Sequence, residues 1–315
     1  MTAKRKKILI FSISALALTA LATVVRVLAL LKEFDLSVGY YARGAILPTV
    51  FDIIATLFVV ASIVAIPTVF KSGDVAIAGQ SRSCRFYSLL AVAGFALLAW
   101  ERWSDFMLVS DVYTGAKLIF ALLSPILMLS LLTFFVACCF GLEPSPLVAI
   151  SGSLSIITLA VELAKVYNTF EIAINSPNKT LFQLTIISAM LYILAELRTV
   201  FSASRPRFYL FSLTTAIFFL GASSLPSIIA SAAGTYENKL IKEDVAFLGI
   251  FVFCVFRLIG IIFSKDEPEC ELCEEYEDGY EIVEETEGSE EPDDSEEPEV
   301  SEEPEESPQD QPPSI

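Results

Sequence analysis

Two thiols at metal-ligand spacing, Cys270 and Cys273 in the segment ECELC, form the stretch of this sequence that most resembles a chemical motif. A structural zinc site needs four ligands, and the sequence offers this pair neither a histidine nor a second Cys-x-x-Cys. The neighbouring carboxylates disfavour the thiolate form and make both thiols slow nucleophiles. We predict no site here, with palmitoylation of these membrane-proximal thiols and a metal shared between two chains as the alternatives.

The absence of histidine from all 315 residues excludes several classes of enzyme. Histidine is the commonest general base and a common metal ligand, so a Ser-His-Asp hydrolase and a His-Glu-x-x-His metalloprotease are both excluded. The six cysteines are too few and too scattered for a disulfide framework. The sequence therefore predicts a protein without enzymatic activity, cofactor or metal.

Ionisable side chains lie inside several long apolar segments, and four of them, Arg26, Asp52, Glu162 and Lys165, fall near the same predicted membrane face. A charge near the centre of a bilayer costs several kcal/mol, so such residues raise a functional hypothesis. Long basic side chains can reach the interface, whereas the two carboxylates cannot. We interpret the four as structural pairs, Asp52 with Arg26 and Glu162 with Lys165, and an outward-facing polar pocket is the alternative.

Two further charged residues, Glu196 and Arg257, lie closer to the other predicted membrane face. Charged side chains at span ends commonly anchor a helix at the membrane interface. We therefore interpret both as interfacial anchors.

Hydroxyl-bearing residues form stripes along some of the apolar segments. Spacings of three and four residues place side chains on one face of a helix, and such a polar face normally points into a membrane bundle. Helix packing alone explains these faces, and a shared cavity is the alternative. The candidate cavity residues on the stripes are Thr19, Arg26, Thr49, Asp52, Thr158, Glu162, Lys165 and Ser188.

Eight apolar segments are long enough to be considered membrane spans, because about 20 helical residues cross a ~30 Å hydrocarbon core. The third is the shortest, and without it the count becomes seven. The first is too long for the apolar core of a signal peptide and is interpreted as a retained span. The predicted spans are residues 8–31, 47–70, 86–100, 114–141, 146–167, 180–200, 208–233 and 245–264.

The distribution of Lys and Arg predicts the orientation of the spans. The N-terminal KRKK and the segments after the second and sixth spans are basic, and basic residues near span ends are retained in the cytoplasm. With eight spans, both termini are therefore predicted to be cytoplasmic in a multi-pass cell-membrane protein.

Residues 265–315 differ sharply in charge from the rest of the chain. They hold 24 acidic residues and one lysine, whereas residues 1–264 hold 20 basic and 14 acidic residues. Repeated Glu and Pro with few apolar side chains are typical of a disordered interaction tail. We predict a transmembrane helical domain, 1–264, and a disordered acidic cytoplasmic tail, 265–315, that suits a basic protein partner but not nucleic acid.

A constant offset of 139 residues relates the polar stripes of the first and fifth spans. It suggests two four-helix halves in parallel orientation, an arrangement found in several transporters, although sparse hydroxyls also align by chance. The offset carries Ser12, Thr19, Thr23 and Arg26 onto Ser151, Thr158, Glu162 and Lys165.

Together these patterns predict an all-α, polytopic integral membrane helix bundle of about eight transmembrane helices, with a 4+4 internal repeat as an option. The function predicted first is a non-enzymatic membrane anchor or partner-recruiting protein, with the lipid bilayer as its surroundings. The alternative is a transporter or small-ligand receptor whose polar cavity lies between the two four-helix halves. The sequence does not indicate an oligomeric state.

Overall fold

The computed structural model describes residues 3–35, 40–70, 80–110, 112, 114–168, 177–201, 205–235 and 241–263. Eight helices in this part of the chain are long and apolar enough to cross a membrane, which confirms the predicted all-α membrane bundle. The predicted tail, 265–315, with its two cysteines, lies outside the described residues. The helices are α1 (Ala3–Lys32), α2 (Leu47–Val69), α3 (Arg82–Val109), α4 (Ala116–Phe140), α5 (Pro146–Asn168), α6 (Pro177–Val200), α7 (Pro206–Ala232) and α8 (Ile241–Phe263).

Two short strands, which the sequence did not predict, lie between α1 and α2. Strands β1 (Phe34–Asp35) and β2 (Tyr40–Tyr41) pair antiparallel, with Phe34 opposite Tyr41. They hold Tyr41 beside the C-terminal half of α1, where its hydroxyl lies 3.5 Å from Nη1 of Arg26.

Helix α3 is much longer than the predicted third span, 86–100, because the helix continues to Val109. Helix α8 likewise begins at Ile241, four residues before its predicted start. Segments expected to be connecting loops are therefore partly helical. As a result Arg102 and Glu243 both lie within helices.

Local sequence signals define several helix ends. Proline occupies the first turn of α2 and α7, where its missing N–H would have no partner. The backbone N–H of Cys84 donates to Oγ of Ser81 at 3.2 Å and caps α3. Gly141 ends α4 with a φ of 92°, a conformation that other residues rarely adopt.

Six of the helices form a closed ring. Each helix from α3 to α7 packs on the next one, and α8 packs back on α3. Helix α1 packs on α7 from outside the ring, and α2 covers α1 and part of α7. Since 83% of the most apolar stretch of α7 is buried, this helix is the wall shared by the ring and the outer pair.

Aromatic side chains fill the interior of the ring. Phe135 of α4 stacks on Phe95 of α3 with ring centroids 5.6 Å apart, and meets the edge of Phe253 of α8 at 5.7 Å. Tyr192 of α6 contacts the same Phe253 at 6.1 Å. Helix α8 is not a neighbour of α4 or α6 in the ring, so these contacts cross its centre.

A close contact between α3 and α8 depends on small residues. A Cβ atom on Gly94 would lie 2.6 Å from Cα of Ala246, and one on Gly249 would lie 2.6 Å from Cα of Ala91. The two backbones therefore touch directly, as in small-residue contacts of other membrane helices.

The outward faces of the helices are apolar, as a lipid environment requires. Leu57, Ile119 and Ile150, on three different helices, are each more than half exposed. Apolar exposure repeated on this scale is unusual for a water-soluble monomer. It fits helices whose outer surface meets hydrocarbon.

The helix neighbours do not support the suggested 4+4 repeat. Two equivalent halves would match the extensive packing of α3 on α8 with similar packing of α7 on α4. Among the described residues α3 packs closely on α8, but α7 does not pack closely on α4. The similar stripes of α1 and α5 also face different surroundings, since α1 packs on α7 whereas α5 packs on α4 and α6.

Candidate functional site

The two ends of the bundle hold different polar groups. We call the end where α1 begins and α8 ends the terminal face, and the end where α2 begins and α7 ends the opposite face.

The hydroxyls of the predicted cavity do not meet in one place. Thr158 is buried between α5 and α4, where its hydroxyl donates to the Leu127 carbonyl at 2.9 Å. Thr19 is buried on α1, and its methyl group lies against Gly221 of α7. Thr49, at the start of α2, is exposed. The expectation that the second span turns its polar face inward is therefore wrong. The hydroxyl-bearing residues Thr158 and Thr19 serve helix packing.

The charged residues of the predicted cavity lie in two separate groups on the opposite face. Glu162 and Lys165 form an ion pair with Nζ and Oε1 2.6 Å apart, so this predicted pair is present. Arg26, on α1, instead donates from Nη2 to Oδ1 of Asn178 on α6 at 2.6 Å. Ser188, the last predicted residue, is buried on α6 and lines a third place, described below.

The predicted direct pair between Arg26 and Asp52 is not formed. The Arg26 guanidinium lies over the ring of Phe51 at 5.2 Å and is almost fully buried. Asp52 is exposed, and within the described residues its carboxylate interacts with Arg26 electrostatically but accepts no hydrogen bond. Burial raises the pKa of Tyr41, so its hydroxyl stays protonated and can donate to Asn178 at 3.5 Å.

A charge network closes the ring at the opposite face. Arg102 of α3 places Nη2 2.8 Å from Oε1 of Glu243 on α8 and 3.6 Å from Oε2 of Glu162 on α5. Both carboxylate side chains are 14% exposed. Because α5 and α8 are not neighbours in the ring, Arg102 connects helices across its mouth. We call the set the opposite-face network: Glu101, Arg102, Ser124, Glu162, Lys165, Lys242 and Glu243.

The remaining members of this network join its rim. Nζ of Lys165 donates to Oγ of Ser124 on α4 at 3.0 Å, and Nζ of Lys242 lies 2.6 Å from Oε1 of Glu101. Both lysine side chains are about half exposed. These outer contacts therefore resemble surface ion pairs, whereas the Arg102 contacts are largely shielded from solvent.

A second cluster, the terminal-face cluster of Gln80, Glu196, Tyr209 and Arg257, closes the other end. Oε2 of Glu196 accepts a hydrogen bond of 2.5 Å from the Tyr209 hydroxyl, and Oε1 accepts one of 3.1 Å from Nε of Arg257. Nε2 of Gln80, which lies just before α3, donates to the same Oε1 at 3.1 Å. The cluster thus joins α6, α7, α8 and the start of α3.

Burial shows that the predicted interfacial role of Glu196 and Arg257 is wrong. Their side chains are 1% and 4% exposed. Tyr209 of α7 and Arg257 of α8 both contact Glu196 at the end of α6, so the charges face each other and not the interface. Nearby thiols, Cys84, Cys138 and Cys254, are fully buried, and within the described ranges no group of His, Cys, Asp and Glu is placed to hold a metal ion.

A lipid-facing cleft of about 370 Å³ opens between α2 and α6, with α7 as its floor. Its surface is almost entirely apolar. The Thr215 hydroxyl on the floor is buried and has no hydrogen-bond partner in the described part of the chain. The cleft is lined by Ala55, Thr56, Val59, Val60, Leu184, Ile187, Ser188, Leu191, Thr215 and Phe219.

Sequence reasoning missed Arg102, Glu243 and Tyr209 as members of these clusters. The sequence does contain a signal for Arg102: residues 101–109 include neither Gly nor Pro, so the helix need not end at Trp100. Nothing local distinguishes Tyr209 from other tyrosines near span ends. Its role comes from helix neighbours that are distant in sequence.

Fold and clusters together define a class: a polytopic α-helical membrane protein whose six-helix ring is filled by aromatic side chains and closed by a charge cluster at each end. Comparison of the chain with protein-family models, curated proteins and solved structures finds no match.

Proposed function

We propose that the protein is a non-enzymatic membrane anchor that presents its acidic segment, 265–315, to a basic protein partner. The observation that carries this proposal is the packing at the centre of the ring, where Phe135, Phe253 and Tyr192 meet across helices that are not neighbours. A carrier of polar solutes needs a polar path, and aromatic rings occupy that position in this bundle.

The buried charges also support an anchoring role. In the terminal-face cluster Glu196 uses its two carboxylate oxygens to bind groups from other helices. In the opposite-face network Arg102 binds carboxylates from two other helices. Such side chains hold helices together, and a rigid bundle is what an anchor requires.

We further propose that the terminal face lies in the cytoplasm of a cell with both chain ends on that side. Support comes from the basic residues at the ends of spans on this face, which follow the positive-inside rule. These residues include Lys6, Lys7, Arg82, Arg85, Arg205 and Arg207. In this orientation the acidic segment faces the cytoplasm.

Thiol labelling of cells that express the protein with Val112→Cys tests this orientation. Val112, between α3 and α4 on the opposite face, is 76% exposed. A membrane-impermeant maleimide should label residue 112 in intact cells, and Cys270 and Cys273 only after permeabilisation. Peptide-resolved mass spectrometry distinguishes the sites, and buried Cys254 provides an unlabelled control. Labelling of the two C-terminal cysteines in intact cells would contradict the orientation.

Deletion of residues 268–315 tests the anchoring role. We expect the truncated chain to insert normally and to lose the set of basic proteins that proximity labelling finds around the full chain. The tail alone, fused to an unrelated single-span anchor, should recover the same set, because the interaction is electrostatic and local to the tail. The same fusion with every Asp and Glu of the tail changed to Asn and Gln should not recover these proteins.

The variants Glu162→Gln and Arg26→Gln distinguish the anchor from the alternative transporter. An anchor should retain its labelled neighbours in both variants, since neither residue belongs to the tail. An unchanged set of neighbours after tail deletion, with solute uptake by cells lost in these two variants, would overturn the proposed function in favour of transport.

A further inference from the structure

The lipid-facing cleft lies at the middle of the membrane-spanning helices. Ser188 is eleven residues from the start of α6, or roughly 17 Å at 1.5 Å per residue. Thr215 is nine residues from the start of α7, or roughly 14 Å. A hydrocarbon core of ~30 Å has its centre at this depth, so a lipid chain is the molecule with ready access to the cleft.

The helix contacts explain the shape of the cleft. Towards the opposite face, Phe51 of α2 and Leu181 of α6 belong to one buried apolar cluster, which also includes Phe218 and Phe219 of α7. Towards the terminal face, the backbone carbonyl of Phe70, the residue that follows α2, accepts a hydrogen bond from Nε of Arg207 on α7 at 2.8 Å. Between these two points a gap remains between α2 and α6, and its floor is formed by the buried α7 residues Thr215 and Phe219.

A carboxylate stands above the cleft on the same face of α2. Asp52 precedes Thr56, a lining residue, by four positions, which places its side chain one turn nearer the opposite face. Asp52 is exposed, and within the described residues its carboxylate has no hydrogen bond or ion pair, whereas its backbone carbonyl accepts from the Thr56 hydroxyl at 2.8 Å. The guanidinium behind it is already engaged by Asn178 and Phe51.

An exposed carboxylate inside a membrane span is unfavourable unless a cation accompanies it. A primary ammonium group is the best partner, because it carries a positive charge and three hydrogen-bond donors. The membrane itself supplies such a group directly above an apolar cleft when a lipid with an ethanolamine headgroup binds there. One lipid molecule then supplies both a cation for the Asp52 carboxylate and an apolar chain for the cleft.

We propose that the cleft binds one acyl chain of a phosphatidylethanolamine molecule whose ammonium group pairs with Asp52. The ammonium group neutralises the carboxylate, and the chain covers the apolar side chains between α2 and α6. The lipid thereby fills the gap between the outer helix pair and the ring. This lipid site is independent of the acidic tail and of the anchoring role.

Native mass spectrometry of the full chain, stripped of lipid in detergent, tests the proposal. Phosphatidylethanolamine and phosphatidylglycerol with identical chains are titrated in separate arms. We expect one molecule of the ethanolamine lipid to bind at least about five- to tenfold more tightly than the glycerol lipid, because even a close ion pair in contact with water has an effect of this size. Asp52→Asn should remove most of that preference, and Ala55→Phe should fill the cleft and abolish tight binding of both lipids.

Two matched variants serve as controls. Asp105→Asn removes an exposed carboxylate from α3, away from the cleft, and Ile53→Phe adds an aromatic ring to an exposed position of α2 that does not line it. Both variants should bind the ethanolamine and glycerol lipids with the same affinities as the unaltered chain. Equal affinity for the two lipids, an unchanged preference in Asp52→Asn, or retained tight binding in Ala55→Phe would each overturn the proposal.

Discussion

Replacing Glu196 with alanine should lower the free energy of unfolding by about 3–5 kcal/mol, because it leaves Arg257 as an unpaired charge inside the bundle. The guanidinium Nε lies 3.1 Å from the Glu196 carboxylate, and both side chains are almost fully buried. The substitution also removes the acceptor used by Tyr209. Three helices would lose a shared contact at once.

Thermal unfolding in detergent measures this effect, and the protein contains its own reporters. Cys84, Cys138 and Cys254 are buried, so a thiol-reactive dye gains fluorescence when the bundle opens. Glu143→Ala, at an exposed position between α4 and α5 on the same face, is the control and should change stability by less than about 0.5 kcal/mol.

Replacing both charged partners separates the cost of an unpaired charge from the value of the pair. The variant with Glu196→Met and Arg257→Met should be much more stable than Glu196→Ala alone, because no buried charge remains without a partner. If Glu196→Ala unfolds at the same temperature as the control, the terminal-face cluster does not stabilise the bundle as its geometry indicates.

The membrane spans were predictable because the requirement they meet is local. Hydrocarbon demands about 20 consecutive apolar helical residues, and any such segment is visible in the sequence without knowledge of its neighbours. The third span was the exception. Glu101 and Arg102 looked like the end of an apolar run, but their charges are paired with α8 and α5, which allows the helix to continue.

The ionic contacts were predictable only where the partners are close in sequence. Glu162 and Lys165 are three residues apart on one helix, and this pair was predicted. Glu196 and Arg257 are 61 residues apart, and their contact depends on the order of helices in the ring. Arg26 was assigned to Asp52 on charge alone, whereas the uncharged Asn178 is its hydrogen-bond partner. Sequence indicates which residues need partners, but helix order determines the partners.

Helix order itself rests on the contact between α3 and α8, which closes the ring. Polar clusters at the two faces fix the ends of these helices, but neither reaches the middle of the contact. At the middle, small residues allow the backbones to touch. The fold therefore depends on two glycines as much as on its buried charges.

Replacing Gly249 with alanine should lower the free energy of unfolding by about 1–3 kcal/mol, the usual cost of overpacking, although alanine is the better helix former. The new Cβ would lie 2.6 Å from Cα and 2.7 Å from N of Ala91, and backbone atoms cannot move aside as a side chain can. Helices α3 and α8 must separate, which loosens the aromatic contacts of Phe253. The thiol-dye assay measures the shift.

Gly260 on the same helix provides the matched control. A Cβ there would meet its nearest neighbour, Oγ of Ser81, at 3.4 Å, an ordinary contact. Gly260→Ala should therefore be neutral or stabilising by up to about 1 kcal/mol. Gly94→Ala should resemble Gly249→Ala, and the double variant should cost less than the sum, because helices already separated at one glycine tolerate a methyl group at the other. Equal unfolding temperatures for Gly249→Ala and Gly260→Ala would show that α3 and α8 do not meet at this contact.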